Sequence, residues 1–214
     1  MRESSLYQNA PSGCVGGGVR APCERYCREA YPNEADGICG RAEEYYLTFM
    51  RDMPDLGENM MAKNMLDWFT ILSFYEASGK KIPPETVQEM MRRALYHIKW
   101  YFGRTDLNTD KGKAENKKSI VRYIKWYTPE KERQYPDSFK VDFVGQPYEG
   151  ACYYRITRCP ICAYAEKLGI SELMPLFCQL DEVMIMLQHG VLHRRQTLAG
   201  GGAYCDYFIT GDKE

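Results

Sequence analysis

Hydrophobic positions recur with the period of a helix through the first half of the chain. One stripe has spacings of four, three, four and three residues, which places its members on a single helix face. The stripe consists of Met61, Met65, Trp68, Leu72 and Tyr75. It predicts a helix over about residues 58–78 that packs on a core and ends at Gly79, a residue suited to the left-handed conformation after a helix.

Three further helices are predicted. One covers "GRAEEYYLTFMRDM" and stops near Pro54, and another runs from Pro83 and Pro84 to Phe102, since proline is tolerated in the first turn. The last lies in "NTDKGKAENKKSIVRYIKWYTPEKE", where apolar residues stand among many lysines, and ends before Pro129. Its basic face could contact an anionic ligand or a membrane surface, but interleaved acidic residues favour a face that is simply solvated.

The pattern changes after Pro136. Phe139, Val141 and Phe143 alternate with polar residues, which predicts a strand, and "ACYYRITR" predicts a second one. The next stretch, "PICAYAEKLG", predicts a helix, while "LHRRQTLA" and "AYCDYFIT" flank three glycines and predict an antiparallel hairpin. The fold class is therefore α+β: N-terminal helices followed by a small antiparallel sheet with intervening helices and a C-terminal β-hairpin.

The first forty residues are rich in glycine and proline and show no regular period. We expect residues 1–40 to form an irregular N-terminal arm and residues 41–214 to form a single α+β domain. The cysteines of the arm match no cluster or zinc spacing, so they are expected to be surface thiols. They are Cys14, Cys23, Cys27 and Cys39.

Composition and charge narrow the function classes. Lys plus Arg total 28 and Asp plus Glu total 29, which gives a net charge of −1 and predicts no nucleic-acid partner. No apolar run approaches the ~18 residues of a membrane span. The start of the chain lacks the apolar core of a secretory signal. We expect a cytoplasmic protein without a membrane partner, a cofactor or a bound metal.

The nine cysteines are an odd number without an export signal, so reduced thiols are expected. The pair Cys159 and Cys162 permits three interpretations. It could join Cys178 and Cys205 in a zinc site, although a zinc ribbon has two close pairs and this set has one. It could be a redox pair at a helix start, although the parallel sheet of a thioredoxin-like fold is missing. It could also consist of buried apolar thiols, which suits Cys162.

Polar residues concentrate near the C-terminus. Asp181 lies three residues after Cys178, so the two share a helix face. His189 stands beside a glycine and is interpreted as a histidine at a helix end, where the helix dipole stabilises it. His193 is interpreted as a solvated strand residue. Asp181 is thus the first candidate for acid–base chemistry, with a surface position as the alternative.

The predicted hairpin adds further candidates. Arg195, Thr197 and Asp206 could converge on one side of a sheet, because strand residues two apart point the same way. The same alternation turns Arg194 to the other side. The glycines at 200–202 are followed by a strand rather than a helix, so they predict a turn and not a phosphate-binding loop.

The stretches "RCPICAYAEKLGISELMPLFCQLDEV" and "LHRRQTLAGGGAYCDYFI" resemble the L-2-amino-thiazoline-4-carboxylic acid hydrolase family. The matched positions are Cys159, Cys178, Asp181, the "R-x-T-L-A-G-G" run from Arg195, Cys205 and Asp206. The segments "MPDLGENMMAKNML" and "FYEASGK" agree as well. The resemblance spans roughly residues 43–210, and Cys162 and the two histidines lie outside the shared pattern.

This resemblance implies a hydrolase that opens a 2-aminothiazoline-4-carboxylate ring to an N-carbamoyl-cysteine product, or acts on a related small cyclic C–N substrate. The residues implied for the chemistry are Cys178, Asp181 and Asp206. The residues implied for substrate binding are Arg195, Thr197, Cys159 and Cys205. Arg195 suits the substrate carboxylate through its planar fork. Either aspartate could act as general base or pair with the amidinium, and Cys178 could attack or line the pocket.

Two alternatives stay open. The closing "G-G-x-x-C-D-Y-F" pattern is similar to the end of small-molecule sensor domains of the vinyl-reductase type, so the chain could be a non-catalytic ligand-binding domain. A sensor is normally joined to an output domain and none is visible, which favours the enzyme. The other alternative is a module held together by zinc bound to cysteines. The oligomeric state, including a homo-oligomer, is left open.

Overall fold

The computed structural model describes residues 17–59, 61–143 and 152–214. The chain divides into two compact units, Met1–Ile98 and Lys99–Glu214. The helices of the first unit are α1 (Gly17–Ala30), α2 (Ala35–Asp52), α3 (Lys63–Ala77) and α4 (Pro84–His97). The division of the chain into an arm and one domain stays a prediction.

Helix α3 forms the centre of the first unit and confirms the helix predicted from the apolar stripe. It is buried on almost every side from Trp68 to Ala77, which is the pattern of a helix surrounded by others. The hydroxyls of Thr70 and Ser73 donate to backbone carbonyls within the helix, so these polar side chains are buried at little cost. Gly79 follows with a φ of 67°, as its predicted role at the helix end requires.

Helix α1 replaces part of the predicted irregular arm. Cys23 and Cys27 lie one turn apart on this helix and are fully buried where it packs against α2, α3 and α4. The expectation of surface thiols is therefore wrong for these two residues. The buried face of α1 is formed by these two cysteines together with Val19. A search for periodic aliphatic residues therefore does not find this helix. Cys14 and the first sixteen residues lie outside the described part of the chain.

The second unit contains the antiparallel sheet, so the predicted α+β class is confirmed. Its helices are α5 (Lys99–Phe102), α6 (Asp110–Trp126), α7 (Pro129–Gln134), α8 (Pro160–Lys167), α9 (Met174–Cys178) and α10 (Leu180–Met186). Its strands are β1 (Lys140–Asp142), β2 (Cys152–Arg158), β3 (Gly190–His193) and β4 (Cys205–Gly211). The strand order is β1-β2-β4-β3, with every neighbouring pair antiparallel. No helix among the described residues is long and apolar enough to cross a membrane.

The sheet has an inner face in the core and an outer face that is partly open to solvent. The buried inner residues of the two central strands are Tyr154, Ile156, Cys205, Tyr207 and Ile209. Tyr154 and Tyr207 are paired across the strands and stack with ring centroids 4.6 Å apart. The half-buried outer residues include Tyr153, Arg155 and Phe208. This alternation follows from the two-residue period of a strand.

Strands β3 and β4 confirm the predicted C-terminal hairpin, but its strands are shorter than predicted. The pairing of β3 with β4 ends at His193, which is opposite Phe208, and residues 194–204 connect the end of β3 to the start of β4 at Cys205. A 3₁₀ turn over Leu198–Gly200 lies within this connection. Gly201 then adopts a φ of 81°, which confirms a turn at the glycine run.

Candidate functional site

Three polar side chains from separate elements meet on the inner face of the sheet. Asp181 lies in the first turn of α10, Arg194 directly follows β3, and Tyr207 lies in β4. Arg194 Nη1 donates to Asp181 Oδ2 at 2.8 Å, and the Tyr207 hydroxyl donates to the same oxygen at 2.7 Å. Among the described residues no donor reaches Asp181 Oδ1. The cluster therefore holds the carboxylate through one oxygen, and the other oxygen accepts no hydrogen bond from the described residues.

The charge of this cluster is partly shielded from water. Only 7% of the Arg194 side chain and 24% of the Asp181 side chain are exposed. Burial raises the pKa of Asp181, and the Tyr207 hydrogen bond and the Arg194 charge lower that pKa in part. Burial, followed by the Asp181 charge, raises the pKa of the Tyr207 hydroxyl, so Tyr207 stays a proton donor in the hydrogen bond. A buried carboxylate paired in this way is a candidate general base.

Two thiols lie near the carboxylate, on Cys178 and Cys205, and a third, on Cys159, lies near these two. Burial, followed by the Asp181 charge, raises the pKa of Cys178 to about 12. Burial raises the pKa of Cys205 to about 11, and a hydrogen bond with Cys162, followed by burial, raises the pKa of Cys159. The three sulfurs are close enough for their charges to interact. They are protonated at neutral pH and form a polarisable wall beside the cluster.

The connection at 194–204 is held in place by side chains of its own hairpin. The carboxylate of Asp206 accepts hydrogen bonds from the backbone N–H groups of Arg195 and Gln196 at 2.9–3.1 Å. The Cys205 sulfur accepts a hydrogen bond from the Leu198 N–H at 3.2 Å. Thr197 accepts one from the Gly200 N–H at 3.0 Å. These bonds use the loop's backbone donors internally, so its glycines do not form an anion-binding nest.

An open cleft of about 420 Å³ lies along this connection. It is lined by Arg194, Arg195, Gln196, Thr197 and the glycines at 200–202. A side chain at Gly202 would collide with Gln196, since a Cβ there would lie 2.6 Å from Oε1. Arg194 lines the cleft and also contacts Asp181, so the cleft borders the buried cluster. Its size suits a small molecule.

The contact between Arg194 and Asp181 was not predicted, and the two adjacent arginines have different surroundings. Arg194 contacts the acid, whereas the Arg195 side chain is exposed at the cleft and only its backbone binds Asp206. The prediction assumed a strand beyond His193, but the chain leaves the sheet there and the alternation of faces no longer applies. Tyr207 was not predicted either. Its signal was its spacing of two from Cys205, which places both on one strand face.

The two histidines lie apart from the cluster. His189 is exposed with a φ of 57°, and its Nδ1 atom is 3.9 Å from Asp212 Oδ2. His193 Nε2 is 3.1 Å from the Thr210 hydroxyl at the edge of the sheet. Within residues 17–59, 61–143 and 152–214, no group of three or more His, Cys, Asp or Glu side chains could hold a metal ion. The zinc alternative gains no support from this part of the chain.

These features define a class of protein: an α+β fold in which an acid–arginine–tyrosine cluster borders an open cleft of about 420 Å³. The chain belongs to the L-2-amino-thiazoline-4-carboxylic acid hydrolase family, whose model matches residues 59–209. This match confirms the resemblance drawn from the sequence and includes the whole cluster. No curated protein and no solved structure matches the chain.

Proposed function

We propose that the protein is a hydrolase that opens a 2-aminothiazoline-4-carboxylate ring, or the ring of a related small cyclic C–N substrate. One observation carries the proposal: in a chain of this family, Arg194 and Tyr207 hold Asp181 through one oxygen at the border of a small-molecule cleft. The second oxygen of that carboxylate is then available to a water molecule or to the substrate amidine.

The proposed reaction breaks one bond of the ring. The carbon between the sulfur and the two nitrogens is attacked by a water oxygen, and its bond to sulfur breaks. The water loses both protons, the departing sulfur takes one of them, and the other ends on the nitrogen framework of the product. The product is an N-carbamoyl-cysteine with a free thiol, heavier than the substrate by one water. A thiol is a good leaving group because it is fairly acidic.

Asp181 is assigned as the general base. Its free oxygen can accept a proton from the attacking water and then pass it to the departing sulfur. Asp206 is assigned a different role, because its carboxylate accepts backbone N–H groups of Arg195 and Gln196. Asp206 therefore positions the loop that forms the cleft and does not act on water.

Cys178 is assigned to the pocket wall rather than to nucleophilic attack. With a thiol pKa of about 12, the thiolate is about one part in 10⁵ at pH 7. The neighbouring Asp181 charge opposes its formation further. Water activated by Asp181 needs no such thiolate, so the electrostatics of the cluster favour water as the nucleophile.

Arg195 is assigned to the substrate carboxylate. It lies on the cleft wall with an exposed side chain, and its backbone is fixed by Asp206. A guanidinium binds a carboxylate through two parallel hydrogen bonds. Thr197 lines the same cleft, and Cys159 and Cys205 belong to the thiol wall. These assignments place the substrate between the loop arginine and the buried acid.

The test is incubation of 2-amino-thiazoline-4-carboxylate with catalytic amounts of reduced protein, followed by mass spectrometry. A product heavier by one water that carries a new free thiol supports the proposal. Arg122→Gln is the matched control, since Arg122 is an exposed arginine of α6 outside the cluster and the cleft.

Absence of turnover, with thermal stabilisation by the same compound, favours the alternative of a ligand-binding domain. If the compound is neither turned over nor stabilises the protein against heat, it is rejected as the substrate. Turnover could also disappear when a chelator is added and return when zinc is added. This result would contradict the proposal that Asp181 activates water without a metal.

A further inference from the structure

The outer face of the sheet holds an arginine between two tyrosines. Arg155 lies in β2, and its guanidinium carbon is 4.0 Å from the ring centroid of Tyr204 and 5.8 Å from that of Tyr153. Its Nε atom also donates to the Tyr153 hydroxyl at 3.1 Å. Two ring contacts and one hydrogen bond fix the plane of the guanidinium before any ligand arrives.

The outer edge of this guanidinium is open. In the described part of the chain, the two terminal nitrogens of Arg155 have no acceptor, and Arg155 forms no ion pair. The exposed carboxylate of Asp142 in β1 is in register with Arg155 across one pair of strands. Across the other pair, the carboxylate in register with Arg155 is that of Asp206 in β4. Its oxygens are directed to the backbone N–H groups of the loop. Arg155 therefore presents four N–H donors in a fixed plane, the geometry that matches a carboxylate.

An aromatic row lies beside the guanidinium on the same face. Tyr153 in β2, Phe208 in β4 and His193 in β3 are cross-strand neighbours. The Tyr153 and Phe208 ring centroids are 6.4 Å apart, and those of Phe208 and His193 are 5.1 Å apart. These rings are half-buried or exposed. They are inclined to one another, by 75° between Tyr153 and Phe208 and by 34° between Phe208 and His193, and form an aromatic surface next to the cation. Such a surface suits the apolar body of a ligand.

We propose that Arg155, Tyr153 and Tyr204 form a binding site for a small carboxylate with an aromatic body, such as an aryl carboxylate. The fork binds the carboxylate, and the row Tyr153–Phe208–His193 contacts the body of the ligand. This site lies on the face of the sheet opposite the Asp181–Tyr207 contact, because neighbouring residues of β4 point to opposite faces and Tyr207 points inward. The site does not depend on hydrolase activity.

The test follows the Nε–H signal of Arg155 in ¹H–¹⁵N spectra of the full chain during titration with benzoate. This proton is bonded to the Tyr153 hydroxyl, which slows its exchange with water and favours detection. The signal is assigned to Arg155 by its absence from the spectrum of Arg155→Gln. Its absence from the spectrum of Arg155→Lys confirms the assignment independently. We expect a saturable shift, with a dissociation constant on the order of 1 mM.

Benzamide is the matched probe, since it has the same shape without the charge. We expect it to bind at least about tenfold more weakly, because hydrogen bonds to a charged partner are the stronger ones. Tyr204→Leu should weaken benzoate several-fold, and Arg122→Gln should leave its affinity unchanged. Equal shifts with benzamide, or an Arg155 signal that does not move as benzoate reaches about 50 mM, would overturn the proposal.

Discussion

Asp181 accepts two hydrogen bonds on one oxygen, and this asymmetry leads to a direct prediction. Asp181→Asn keeps an acceptor for Tyr207 and Arg194 but removes the basic oxygen. We expect turnover of the thiazoline to fall by about 10²-fold or more. Thiol release measures the rate, and circular dichroism shows whether the fold is retained. A folded variant with full activity would contradict the role of Asp181 as base.

The pH dependence of the reaction follows from the same carboxylate. Burial raises the pKa of Asp181 above the pKa of an ordinary aspartate. The carboxylate form, which acts as the base, is lost when the pH falls below this raised pKa. We expect kcat/KM to rise with pH across this raised pKa. Tyr207→Phe removes a hydrogen bond that lowers the pKa, so the rising limb should move to higher pH. An unmoved limb in this variant would show that Asp181 does not control the profile.

Substitution of Cys178 should retain turnover, in contrast to substitution of Asp181. Its thiol pKa of about 12 disfavours a thiolate, so Cys178→Ser should retain turnover within about tenfold of the unaltered protein. Cys178→Ala should behave in the same way if the side chain only lines the pocket. Loss of all activity in both folded variants, with a covalent adduct on the unaltered protein, would instead identify Cys178 as the nucleophile.

At the scale of elements, the start of α6 depends on a glycine. The Gly112 N–H donates to the Thr109 hydroxyl that caps this helix, and a Cβ at 112 would lie 1.9 Å from the Asp106 carbonyl oxygen. Gly112→Ala should therefore lower the free energy of unfolding by about 2 kcal/mol or more. Urea denaturation measures the change.

The matched control for this substitution is Gly40→Ala. Gly40 lies within α2, is exposed, and has no atom within 4 Å of an added Cβ. Alanine there should raise the free energy of unfolding by about 0.5–1 kcal/mol, because it loses less conformational freedom on folding. Equal effects of the two substitutions would mean that the backbone near Asp106 can move aside.

At the scale of the whole molecule, hydrophobic periodicity was sufficient to predict α3, β2 and the order of helices before strands. Each of these elements has its pattern within its own short stretch of sequence. The contact of Arg194 with Asp181 was not predicted, because the end of β3 at His193 depends on pairing with Phe208, a distant residue. The contact between Tyr207 and Asp181 joins β4 to α10, and no local spacing encodes it. The family resemblance located the right segments, whereas the partners within the site required the fold.

The reactivity of the thiols tests the packing of the first unit. Cys23 and Cys27 are fully buried on α1, and burial raises the pKa of both, to about 12 for Cys27. At pH 8 the Cys27 thiolate is about one part in 10⁴, so both residues should resist iodoacetamide in the native protein. Half-buried Cys162 serves as the comparison within the same sample.

The experiment labels native protein first and unfolded protein second, with isotopically distinct reagents, and maps the peptides. Cys23 and Cys27 should carry the second label, since they become accessible only when α1 separates from α2, α3 and α4. Rapid first labelling of both residues would show that α1 is not packed as described. Cys23 and Cys27 would then be surface thiols, as the sequence predicted.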